Sequence, residues 1–185
     1  IATAPVHQSF INLAQIDLLK IVLKKAKLSL SDYQKKYFWT KNNYTLSQEL
    51  TIKDFKREIE AWKKSGRNLN EELKSIQNTP KLNKQKKLKL FKKYRLSPFL
   101  RTLLKISEDF TWWQDERKKA TYYNIHMGSK ILTDIGKHID YTLEELKYAT
   151  SSEIKGIIKF KKPSKAALRK RKRGSVCLFT KSSIT

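Results

Sequence analysis

Residues 98–138 read PFLRTLLKISEDFTWWQDERKKATYYNIHMGSKILTDIGKH. Within them Leu103, Ile106, Phe110, Trp113, Arg117, Ala120, Asn124, Met127 and Ile131 recur at steps of three and four, which is the spacing of one helix face. Pro98 suits a first helical turn, with Ser97 before it, and no further proline intervenes up to His138. A helix of this length runs roughly 60 Å at 1.5 Å per residue. It is the backbone of a bundle or an arm between domains, with Gly128 and Gly136 as the points where it could break. The seam should pack against the chain's other apolar helices. Trp113 lies on it and is expected in the core, where Trp113→Ala would cost about 3–5 kcal/mol. Trp112 sits about 100° round the helix and is expected to be the more exposed.

Upstream, the pattern stays helical. Residues 8–27 form one expected helix, apolar on more than one side through Phe10, Leu13, Ile16, Leu18, Leu19 and Val22. Ser29 or Ser31 offers the cap of a second helix, from Tyr33 to about Trp39. Thr51 with Asp54 makes a capping-box pattern before Ile52, Phe55, Ile59 and Trp62, in a helix ending at Gly66. Asn68 or Asn70 caps a short helix to Gln77, which Pro80 is expected to stop, and Leu82 to Tyr94 mark another. Downstream, Thr142 and Glu145 repeat the capping box over a short helix at 143–149. Ser151 or Ser152 opens one more, through Ile158. The basic stretch 159–173 reads as a linker, and 174–180 as a short C-terminal strand. The expected fold is therefore an all-α, multi-helix bundle with one long helix and one strand. Its domains are a helical unit over 1–158 and a basic linker and strand over 159–185, the latter a candidate start of a truncated mobile domain.

The chain has 185 residues and a formal charge of +24. Eleven basic residues and no acidic one lie between Lys74 and Lys105, and again between Lys155 and Lys181. Such windows suit a polyanion or a solvated helix face. One cysteine, Cys177, excludes a disulfide framework and fits a reducing, cytoplasmic setting. The opening IATAPVHQSF has no signal-peptide pattern and looks like the start of a fragment or processed chain. No apolar run reaches membrane-spanning length, so no membrane partner is expected.

Chemistry-bearing patterns are few. Phosphate-binding glycine loops and the HExxH metal pattern are absent, and His7, His126 and His138 are not spaced as a metal pair. No catalytic, metal or cofactor-binding residue is therefore assigned, and no cofactor is expected in this chain. His126, in an apolar and aromatic stretch, reads as structural. The densest constellation is Trp112, Trp113, Asp115, Glu116 and Arg117, with Lys118 and Lys119. It reads as structural or interaction surface, with Asp115 expected to pair with Lys119 across one turn. Trp39, Trp62, Trp112 and Trp113 could stack bases, although core packing is the ordinary use of such residues. Arg169, Lys170, Arg171, Lys172 and Arg173 are the candidates for nucleic-acid contact.

Three segments carry a family resemblance: QKKYFWTKNNY (34–44), LTIKDFKREI (50–59) and FTWWQDERKKATYYNIHMGSKILTDIG (110–136). With APVHQSF near the start and YTLEELKYATSSEI (141–154), they resemble the helical linker region of phosphoenolpyruvate-utilising enzymes. These are the phosphoenolpyruvate synthase and pyruvate phosphate dikinase-like proteins, in particular their shorter prokaryotic relatives. The resemblance implies a kinase- or transferase-like parent. In it, a non-catalytic linker joins a nucleotide-binding domain to a mobile phosphohistidine domain. None of the three histidines lies in the Gly/Thr-rich setting of that family's phosphorylated residue. The rival expectation is a basic helical nucleic-acid-binding module.

Overall fold

The computed structural model describes residues 2–44 and 47–176. Among these the chain is all-α, with eight helices and no strand. It divides into two compact units, Ile1–His126 and Met127–Thr185.

The first unit is built on α1 (Phe10–Val22), capped by Ser9, whose hydroxyl accepts from the Asn12 amide. The two-sided apolar pattern of α1 is used on both sides. Ala14 and Leu18 join Tyr33, Tyr37, Leu50 and Phe55 in one cluster, while Ile16 and Leu19 join Leu73 in another. Leu18 and Leu19 are fully buried, each burial contributing about 2 kcal/mol. Helices α2 (Leu30–Tyr37) and α3 (Ile52–Lys64) start at Ser29 and Thr51, and the expected Thr51–Asp54 capping box is formed.

Residues 69–93 depart from expectation. Instead of two helices broken at Pro80, one helix, α4 (Leu69–Lys93), runs through the proline. Pro80 brings no N–H to the Ile76 carbonyl one turn back. The Gln8 side-chain amide donates to that carbonyl instead, at 2.6 Å. Two further bonds lay the same N-terminal segment along α4: Asn83 donates to the Pro5 carbonyl at 3.0 Å and Lys87 to that of Ala4 at 2.9 Å.

The long helix is present as α5 (Pro98–Ile139). Ser97 Oγ accepts from the Leu100 amide at its start. Neither Gly128 nor Gly136 breaks it, and the boundary between the two units falls within it.

In the second unit, α5 ends at Asp140, which takes a left-handed φ of 62°. Tyr141 N–H returns to the Gly136 carbonyl at 2.9 Å, the geometry of a Schellman motif. A Cβ on Gly136 would collide with the Tyr141 carbonyl. Then follow α6 (Leu143–Leu146), α7 (Ser151–Ile158) and α8 (Lys165–Arg173). Capping boxes at Thr142–Glu145 and Thr150–Glu153 open α6 and α7. Leu146 and Leu168 are both buried where α6 and α8 meet.

The stretch expected as a linker is thus partly helical. Ser164 caps α8, Leu168 anchors it, and Arg171 ties it to Glu153. The two compact units meet at 126/127, within α5, and in the second unit α6 packs on α8. Of the expected strand, Cys177 to Thr180 lie outside the described residues, and Gly174 to Val176 carry no regular structure.

Candidate functional site

The candidate residues cluster on α5, whose two faces have exchanged their expected roles. The face turned into the first unit is polar and aromatic. Glu108, almost fully buried, pairs with buried Lys87 of α4 and with Lys105 at 3.0 Å. Asp115 Oδ2 accepts the Phe10 amide at 3.2 Å, placing a carboxylate on the positive end of α1, where the helix dipole favours it. About two and three turns on, Tyr122 meets Phe10 edge-on at 6.3 Å and His126 meets Phe38 at 4.8 Å. His126 is buried, with Nε2 3.9 Å from a Glu49 carboxylate oxygen. Trp39 stacks on Phe10 at 5.6 Å and is buried, so that tryptophan belongs to the core.

The seam expected inside is the exposed face. Ile106 and Leu103 are about half exposed, Phe110 is 60% exposed and Trp113 54%. This corrects the expected burial of Trp113. Trp112 is the less exposed of the two, at 38%, because its ring lies against His7 at 5.3 Å. The reason is chemical. On the inward side Glu108 meets the Lys87 ammonium and Asp115 accepts the Phe10 amide, while the carboxylates of the outward side, Asp109 and Glu116, pair with Lys105 and Lys119 of α5 itself.

The expected Asp115–Lys119 pair is not formed either. Asp115 is engaged by α1, and Lys119 pairs with Glu116 at 3.2 Å, one turn back. Arg117 and Asn124 are exposed on the outward seam. His7, Ile106, Asp109, Phe110, Trp112 and Trp113 line an open hollow of about 630 Å³. Phe110 and Trp113 meet edge-to-face there, at 5.9 Å. The hollow offers an apolar, aromatic floor and one carboxylate, Asp109, paired with Lys105 at 2.7 Å. That lining suits apolar contact more than polar recognition. Among the described residues, no group of three or more His, Cys, Asp or Glu is arranged to hold a metal ion, and no helix is long and apolar enough to cross a membrane.

The second candidate set lies on α8. Arg171 turns inward and donates to both Glu153 carboxylate oxygens, at 2.7 and 3.1 Å, and to the Tyr148 carbonyl at 3.0 Å. This fork holds the Glu153 carboxyl below the usual range, against the opposing effect of partial burial. Arg169 lies 3.8 Å from Glu145. Arg169, Lys170, Lys172 and Arg173 are all exposed, the last three with no ion pair to a carboxylate among the described residues. In the first basic window, Lys87 is structural. Nothing local in the sequence marks Lys87, the burial of Glu108, or His7, since Lys87 and Glu108 pair across two helices and His7 meets Trp112 of α5.

Comparison with known proteins finds no family model, no curated protein and no solved structure that matches this chain.

Proposed function

We propose that this chain is a non-catalytic helical connector. In the finer form implied by its resemblance, it is the linker portion of a phosphoenolpyruvate-utilising, phosphotransferase-like protein. Its partners would be a nucleotide-binding domain and a mobile phosphohistidine domain, which it positions. The observation that carries the reading is that one continuous helix, α5, contributes residues to both compact units. His126 is buried against Phe38 and His7 lies on Trp112, settings that suit packing. Incubation with labelled ATP or phosphoenolpyruvate tests the reading. No stable label is expected, and a phosphohistidine on this chain overturns it.

A second reading, nucleic-acid binding, is favoured by the exposed Lys170, Lys172 and Arg173 of α8. Phosphate contacts release counterions, so such binding weakens with salt. The discriminating result is a preferred sequence or structure that persists near about 0.15 M salt and is lost when these three residues become serine.

A further inference from the structure

We propose that the outward stripe of α5 is a self-association surface, on which a second copy of this chain lays its own α5 antiparallel. The stripe begins at Phe99, 69% exposed, and runs to Asn124 with steps of four and three in strict alternation. That spacing is the 3.5-residue repeat of a coiled-coil seam, and it extends about 38 Å. The opposite face of the helix is held inward by Glu108, Asp115 and Tyr122. Turning the stripe into its own unit would break those three contacts. A repeat of this kind is filled by another helix with the same repeat.

Charge selects the second copy as that helix. A chain of +24 repels its own copy over most of its surface. With Glu108 and Asp115 held inward, Ile106 to Asn124 leaves Asp109 and Glu116 against Arg117, Lys118 and Lys119, so this face is close to balanced and opposes a second copy less than the acid-free basic windows do. Asp109 and Glu116 flank the stripe and disfavour a polyanion on this face.

Side-chain size selects the direction. A parallel pair in register would stack Arg117 on Arg117 and Trp113 on Trp113 in closed layers, burying like charges. An antiparallel pair centred level with Asp115 sets Arg117 against Trp113 of the second copy, a cation–π contact. It sets Phe110 against Ala120 of the second copy, large against small. Asn124 then meets Ile106 of the second copy, and one polar residue on a seam fixes register at some cost in stability.

The experiment uses the full chain. Sedimentation equilibrium at micromolar concentrations should give a reversible dimer. Ala120→Trp, at an exposed position, overfills the layer with Phe110. It should weaken the dimer about tenfold or more while leaving the circular dichroism of the dilute monomer unchanged. In a Cys177→Ser background, Phe110→Cys and Ala120→Cys chains should cross-link when mixed and not when oxidised separately. A monomer at all these concentrations overturns the proposal. So does a dimer indifferent to Ala120→Trp, or cross-linking of either cysteine variant with itself. Capture of single-stranded RNA by a persistently monomeric chain, lost in Ala120→Trp, overturns it in favour of a nucleic-acid face.

Discussion

Gln8 donates its side-chain amide to the Ile76 carbonyl at 2.6 Å, the carbonyl that Pro80 leaves without its helical donor. A side chain from the start of the chain thus repairs the middle of a 25-residue helix. Gln8→Ala should cost about 1 kcal/mol, and less in a Pro80→Ala background, where the backbone N–H gained by that substitution takes over the carbonyl. Urea melts of the four-member cycle measure the coupling. Equal costs in both backgrounds would show that the two residues act independently.

Helix ends carry a second expectation. Lys24, Arg95 and Phe160 hold left-handed φ angles of 54°, 45° and 58° at the ends of α1, α4 and α7, each followed by a return bond of the Schellman type. The left-handed region costs a side-chain-bearing residue about 1 kcal/mol. Exposed Arg95→Gly should therefore raise stability by about that amount, read as a higher urea midpoint. Gly136→Ala should do the opposite, costing about 2 kcal/mol, because its Cβ meets backbone.

Acid should loosen the second unit through Glu153. Its carboxyl is held below the ordinary value of 4.5, first by the Arg171 fork and further by the Thr150 amide. A depressed carboxyl stabilises the fold above its unfolded value, and that stability is lost as pH falls from about 4.5 through the depressed value. Glu153→Gln should cost about 1–2 kcal/mol near neutral pH and nothing once the carboxyl is protonated. Melts of both proteins across that window should converge, and a constant gap between them would refute the linkage.

Trp113→Ala should leave the dilute chain within about 0.5 kcal/mol of the parent, since Trp113 is half exposed. Leu18→Ala, at a fully buried site, should cost about 2–5 kcal/mol. A cost for Trp113→Ala matching that of Leu18→Ala would place the stripe in the core after all.

The contrast between those two residues marks how much of this molecule its sequence discloses. Caps at Ser29, Thr51 and Thr142 are local events among neighbouring residues, and so is the length of α5, and all were legible. Which face of α5 turns inward was not. Spacing in threes and fours identifies an apolar face without saying whether the same chain covers it. The deciding partners of α5, Lys87 and the Phe10 amide, sit on other elements. Pro80 misled for the same reason, its compensation coming from Gln8, 68 residues before the carbonyl it serves. The candidate set on α8 was legible as a charge run. That Arg171 turns inward depended on Glu153 of a separate helix.

The N-terminal segment has a consequence for synthesis. Gln8 waits for Ile76, the Ala4 carbonyl for Lys87, and the Phe10 amide for an acceptor 105 residues later. At ribosomal speeds of about 5–20 residues per second, that interval is on the order of ten seconds. Until α2, α3 and α4 have followed it, α1, apolar on two sides, lacks the helices that cover it. The nascent first unit is therefore a natural client for chaperones that hold apolar segments, and α5 is the element that completes its hydrogen bonds.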